Sequence, residues 1–157
     1  MLRYFAYGAN IDPERMAARV PAAVVVGPGY VDRFGVEFTI RDREWGGGVL
    51  NAREVPEGRL WGLLYEGPQE AFAVLDTFEG DAALMEKAEV TVVTDAGPVA
   101  AVTYRVIPIA NHVRPSDRYL SHLTRAMRAQ GLPPEAVEAV LAADRNTGQG
   151  SGPSIVS

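Results

Sequence analysis

Between Leu2 and Ile107 the apolar residues fall mostly in short runs rich in β-branched and aromatic side chains, cut by glycine and proline. Only two stretches break that rhythm with helical spacing. A chain of this kind builds a sheet first and lays its helices against it. Leu2 to Tyr7 reads as a first strand, ended by Gly8. Ala22 to Val26 and Tyr30 to Ile40 read as strands separated at Gly27-Pro28-Gly29. In the second of these, Val31, Phe34, Val36, Phe38 and Ile40 alternate except near Gly35, as at a bulge. Gly48 to Ala52 and Arg59 to Tyr65 form two more, joined by a Pro56-Glu57-Gly58 turn. Val90 to Thr94 and Val99 to Ile107 frame a hairpin around Asp95-Ala96-Gly97-Pro98.

The helices carry their own punctuation. Asp12 followed by Pro13 is an N-cap and a first helical position, and that helix stops before Pro21. Pro68 opens a second, with Ala71, Val74, Leu75 and Phe78 at helical spacing and Gly80 where a C-terminal cap belongs. Two helices follow the strands. One starts near Ser116, turns Leu120, Leu123 and Met127 to one side and stops at Gly131; the other starts near Pro134 with Val137, Val140 and Leu141 inward. The pattern predicts an α+β fold with a mixed, mostly antiparallel sheet flanked by helices. Whether that sheet closes into a barrel is not derivable from the pattern. With no internal repeat and no break in composition, residues 1–148 read as one domain. Residues 149–157 read as a flexible tail, at the end of a Gly/Ser-rich stretch that begins at Asn146.

At 157 residues the chain is long enough for one substantial core. With 15 basic against 20 acidic residues its net charge is -5, which argues against a nucleic-acid or anionic-membrane partner. The absence of cysteine excludes disulfides, a thiol nucleophile and thiolate metal sites. The N-terminal MLRYFAYGAN lacks the apolar core of a signal peptide, and Pro21 to Tyr30 is far short of the ~20 residues of a membrane span. A soluble cytoplasmic protein is expected.

Several polar features read as ordinary structure. His112 lies in the connection between Pro108 and Pro115, His122 sits beside Leu123 on a helix, and their spacing matches no helix-borne metal pair. Gly46-Gly47-Gly48 lacks the lysine and following helix of a phosphate loop and reads as a turn entering a strand. Asp42 and Glu44, mixed with Arg41 and Arg43, read as a solvated loop.

Two features rise above these. Tyr4 to Asn10 is a strand running into a Gly8-Ala9-Asn10 turn just before a helix start. Converging backbone N–H groups there make a receptor for a carboxylate or an oxyanion, or simply a strand-to-helix turn. The second is Leu75-Asp76-Thr77-Phe78-Glu79-Gly80. Glu79, near the apolar stripe and in the last helical turn, meets the negative end of the helix dipole; burial there also favours its neutral form. Both raise its pKa toward that of a general base near neutral pH, unless the side chain turns to solvent.

Taken together and in this order, these segments resemble the γ-glutamylcyclotransferase family, including its AIG2-like and γ-glutamylamine cyclotransferase relatives. Tyr7-Gly8-Ala9-Asn10 is similar to the family's Tyr-Gly-Ser-Asn turn, and Leu75 to Gly80 to its Leu-Asp-x-x-Glu-Gly segment. Leu60 to Tyr65 resembles its Trp-Gly strand. Thr103-Tyr104-Arg105, Pro115 to Tyr119 and Gly131 to Glu135 continue the match.

The resemblance implies a small β-barrel flanked by helices and an enzyme of the lyase or acyltransferase type, without metal or organic cofactor. Its partner would be a small γ-glutamyl amide, converted to 5-oxoproline and a free amine or amino acid. Glu79 would be the catalytic acid and base. The Gly8-Ala9-Asn10 backbone would hold the glutamyl head, and Tyr7, Tyr104 and Tyr119 would line or orient the cavity. Two positions depart from the pattern. Ala9 replaces the usual serine. Glu86 replaces an aromatic, which makes it either an exposed residue at a strand start or a selector against acidic and for basic leaving groups. These departures motivate the alternative of a non-catalytic binding module for γ-glutamyl or related ligands on the same fold. Oligomeric state is not legible.

Overall fold

The first strand, β1 (Leu2–Ala6), sends Tyr4, Phe5 and Ala6 into the core and ends one residue earlier than the sequence suggests. The structure, a computed structural model, describes residues 1–77, 85–106 and 111–145. A 3₁₀ turn (Ala9–Ile11) leads into α1 (Pro13–Arg19), which the Asp12 side chain caps by accepting from Glu14 N at 3.0 Å. The strands β2 (Val24–Asp42), β3 (Gly47–Gly67), β4 (Met85–Thr94) and β5 (Gly97–Val106) complete the sheet; α2 (Asp117–Ala129) and α3 (Pro134–Arg145) follow.

The strands form a closed barrel in the order β1-β3-β2-β4-β5. Every junction is antiparallel except the last, where β5 meets β1 in parallel at Tyr4 and Val102. The α+β reading and the barrel implied by the family resemblance are therefore both met. Phe5, Phe38, Leu63, Leu64 and Val92 are buried in the core. Each such side chain stabilises the fold by roughly 1.5–3 kcal/mol relative to exposure.

Two predicted breaks are not breaks. Gly27-Pro28-Gly29 lies inside one continuous strand, because β3 supplies a paired partner on either side of a register shift between Val25 and Gly27. Likewise Pro56-Glu57-Gly58 is a bulge, not a turn. Asp32 pairs with Arg59 and Phe34 with Glu54, so residues 55–58 bow out opposite Arg33, which adopts φ 69°. In both places the long hairpin β2/β3 absorbs local turn chemistry as bending, since pairing on both flanks outweighs it. The helix expected from Pro68 is a 3₁₀ helix, Gln69–Thr77. Its buried residues are Phe72 and Leu75, three apart, which suits a repeat of three as well as one of 3.6. Phe78, Glu79 and Gly80 lie outside the described residues, as do Ile107 and the tail from Asn146.

The late hairpin turns at Asp95-Ala96, closed by Thr94 Oγ1 donating to Gly97 O at 2.8 Å. Ser116 caps α2 by accepting from Tyr119 N, and that helix ends at Gln130-Gly131. Leu123 and Met127 are buried as expected, but Leu120 is only half-buried and Tyr119 takes its place inside. In α3, Val137 and Val140 are buried and Leu141 half-buried.

Candidate active site

Strand β1 stops at Ala6, and beyond its end β3 and β5, which are not neighbours in the strand order, must be tied by side chains. Tyr7 does this with one oxygen: it donates to Tyr104 O at 2.6 Å and accepts from Ala52 N at 3.2 Å. Asn51, fully buried, does it again. It accepts from Val106 N at 2.9 Å and donates to Val106 O at 3.0 Å, imitating a backbone pair. A cavity opens over this seam.

Six residues singled out in the sequence line that one cavity: Tyr7, Gly8, Ala9, Asn10, Tyr104 and Tyr119. In the Gly8-to-Asn10 turn the first ladder bonds are donated by Ile11 N to Gly8 O and Asp12 N to Ala9 O. The N–H groups of Gly8, Ala9 and Asn10 are left ahead of the ladder. Asn10 is engaged on every side. Its carbonyl accepts from Tyr65 Oη at 2.6 Å, its Nδ2 donates to Tyr4 Oη at 3.2 Å, and its Oδ1 accepts from Arg19 Nη1 at 3.3 Å. Burial pushes the Tyr65 phenol up, so it stays a donor. These bonds fix the turn's backbone, and the polar tip of Asn10 is spent on that task.

Tyr119 Oη accepts from Leu50 N at 3.2 Å and lies 3.5 Å from the point a Cβ on Gly8 would occupy. It holds the turn against β3. The Tyr104 hydroxyl donates to Asp76 Oδ1 at 2.5 Å, with Lys87 Nζ 3.5 Å from the same oxygen. Tyr104 thereby fastens the 3₁₀ helix to the barrel wall. Glu79 lies outside the described residues. Glu86 faces Arg105 across the β4/β5 ladder and is not among the described residues that line the cavity.

Arg41, Arg43 and Glu44 are exposed, as a solvated loop predicts, but the segment also borders the cavity. Arg41, Asp42, Glu44 and Trp45 line the cavity at the tip of the long hairpin, together with Arg15 and Arg19 of α1. Glu44 accepts from Arg15 through both oxygens, at 2.8 and 3.0 Å, and lies 3.7 Å from Arg19. The Arg15 bond holds the Glu44 carboxyl below its ordinary pKa and raises that of Arg15. Arg118 donates to Glu44 O, and Ser116 Oγ donates to Trp45 O at 2.7 Å. Arg15 and Arg118 lie against the Trp45 ring, with Cζ 5.1 and 4.6 Å from its centroid. These partners are 29 and 74 positions apart for Glu44, so no local signal in the sequence links them. The histidines are structural. His122 packs against Trp45 and lies 3.5 Å from the Asp12 carboxylate; His112 edges onto Phe38, and burial lowers its pKa.

Residues 59–140 match the AIG2-like family. A Bos taurus protein named gamma-glutamylcyclotransferase is 30% identical over 139 residues, covering 84% of this chain and 73% of the relative. This chain belongs to the AIG2-like, γ-glutamylcyclotransferase-like family. A Mus musculus protein of the same name is 27% identical over 154 residues, covering 94% of this chain and 81% of the relative. A solved structure titled gamma-glutamyl cyclotransferase superposes with a TM-score of 0.82 at 25% identity, over 90% of this chain and 86% of that one.

Among the described residues no group of His, Asp and Glu side chains could hold a metal ion. Nor is any helix among them long and apolar enough to cross a membrane.

Proposed function

We propose that this protein is a γ-glutamyl cyclotransferase that releases 5-oxoproline and a free amine or amino acid from a γ-glutamyl amide. The observation that carries the reading is the convergence of the Gly8-Ala9-Asn10 backbone, Tyr7, Tyr104 and Tyr119 on one cavity. The activity named for the bovine and murine relatives supports it. The role of Glu79 rests on the resemblance of Leu75 to Gly80 to the family's Leu-Asp-x-x-Glu-Gly segment.

The backbone donors of the turn hold the glutamyl head. Glu79 takes a proton from the α-ammonium, and the freed amine attacks the γ-carbonyl carbon of the same molecule. A new C–N bond closes the five-membered ring as the amide C–N bond breaks. Protonated Glu79 gives its proton to the departing amine, and the second proton of the attacking nitrogen, shed as the ring amide forms, passes through the Glu79 carboxylate to the released amine or to solvent. Because nucleophile and electrophile share one molecule, the protein mainly folds the substrate and relays its protons. The replacement of serine by Ala9 removes a hydroxyl and leaves the backbone donors in place.

Incubating the protein with γ-glutamyl dipeptides and γ-glutamyl amines should release 5-oxoproline. Glu79→Gln should lower kcat by about 10²–10⁴-fold with its thermal unfolding unchanged. Full activity in that variant removes Glu79 from the mechanism. A γ-glutamyl ligand that binds and stays intact over hours identifies a binding module instead.

A further inference from the structure

The cavity has a second side that recognition of a glutamyl head leaves unused. Ile40 and Val49 are direct cross-strand partners at the end of the β2/β3 hairpin; Met85 and Val106 are direct partners at the end of β4/β5. All four line the cavity, and all four are only half-buried. Pairing across a strand brings Cβ atoms to about 5 Å, so each pair is a contiguous apolar surface. The two surfaces come from different hairpins and belong to one cavity, whose floor is the Tyr7 bridge between Ala52 of β3 and Tyr104 of β5.

A register shift between Phe38 and Ile40 is what sets Ile40 opposite Val49. Bulges are a common means of re-aiming a side chain beside a site. The apolar side also adjoins the head-binding turn. Tyr119 Oη lies 3.5 Å from the Cβ position of Gly8 and accepts from Leu50 N, next to Val49, at 3.2 Å.

Half-exposed apolar side chains bordering one cavity favour an apolar ligand portion, which displaces water from both pairs. The carboxylates on the lining are engaged elsewhere. Glu44 is held by Arg15 and Arg19, and Asp42 Oδ1 accepts from Trp45 N at 3.1 Å. Glu86 is absent from the described lining. A cationic leaving group would therefore gain little there.

We infer that the Ile40–Val49 and Met85–Val106 pairs form the leaving-group subsite, and that the substrate is a γ-glutamyl amide of an apolar amine or amino acid. This rests on the cyclotransferase reading above. The test compares γ-glutamyl-leucine, γ-glutamyl-glycine and γ-glutamyl-lysine joined through the lysine α-amine. The leucine compound should exceed the glycine compound by about ten- to a hundredfold in kcat/KM, and the lysine compound should not. Val49→Thr and Met85→Gln, which keep side-chain volume nearly constant, should each cut the leucine-to-glycine ratio by roughly tenfold.

Leucine and glycine compounds turned over within twofold of each other overturn the inference. So does a preference for lysine, or a ratio unmoved in both variants. If none of the compounds yields 5-oxoproline, the cyclotransferase reading fails, and calorimetry on the same protein decides the subsite separately. Tighter binding of the leucine compound, with a more negative heat-capacity change, upholds the apolar subsite. Equal binding, or none, overturns it.

Discussion

The two hairpins of the barrel are built on opposite principles. In β4/β5 ten residue pairs run from Met85–Val106 to Thr94–Gly97 without a register shift. In β2/β3 the ladder slips at three places, and its tip is fastened by side chains of α1 and of the segment opening α2. A regular ladder is a straight wall, and the short hairpin serves as one. A ladder with bulges bends, and the long hairpin curves round to give the cavity Ile40, Arg41, Trp45 and Val49. Irregularity on one side and regularity on the other shape the site.

The sharpest way to break this contrast is at one glycine in each hairpin. A Cβ on Gly48 would lie 1.8 Å from Val113 O, where the chain before α2 crosses the long hairpin and Gly48 N donates to Arg114 O. Backbone cannot swing aside as a side-chain tip can, so Gly48→Ala should destabilise the protein by about 3 kcal/mol. Gly97 in the short hairpin has open space but φ 109°. Gly97→Ala should cost about 1–2 kcal/mol, from backbone conformation alone. Urea denaturation of both variants measures the difference; equal costs would mean that the long hairpin is no more closely packed than the short one.

Asn51 sharpens the comparison next, because it joins the two hairpins. Replacement by leucine keeps the volume and leaves the part-buried Val106 N–H and C=O without that partner. The expected loss is about 2–3 kcal/mol, with weaker hydrogen-exchange protection at Val106. Unchanged protection would show that Asn51 does not carry the seam.

The smallest effects come from charge, and here the long hairpin carries both signs. Burial pushes the Glu37 carboxyl up, against hydrogen bonds from Thr39 and Asn51. The folded state then holds a proton that the unfolded chain releases, so Glu37 makes stability fall as pH rises from 4.5 through its folded pKa. Glu44 is depressed by Arg15, so its contribution is present above 4.5 and is lost as pH falls through its lower folded value. Glu37→Gln should therefore raise Tm at pH 7. Glu44→Gln should lower it slightly, in a salt-sensitive way, because the pair is partly exposed. Thermal melts from pH 3 to pH 8 in low and high salt read both slopes; a common sign for the two variants contradicts this account.

Much of the molecule was legible in the sequence where the deciding physics is local. Asp12-Pro13 and Ser116 start helices because a side-chain oxygen reaches an N–H two or three residues on. The turns that failed as predictions, Gly27-Pro28-Gly29 and Pro56-Glu57-Gly58, failed because pairing with a distant strand overrode local preference. Asp42 and Glu44, mixed with Arg41 and Arg43, read only as a solvated loop, since nothing within a few residues shows that Glu44 is held by Arg15 beside a cavity.

By itself the sequence determined the α+β class, the ends of α1 and α2, the turn at Gly8-Ala9-Asn10 and, through ordered motifs, the family. Each depends on neighbours in the chain or on residue identity. Closure of the barrel and the Tyr7 and Asn51 seam were decided only in three dimensions. So was the meeting of two apolar strand pairs over one cavity. These need partners some tens of residues away, and what fixes them is the free energy of burying and pairing groups that the chain alone does not bring together.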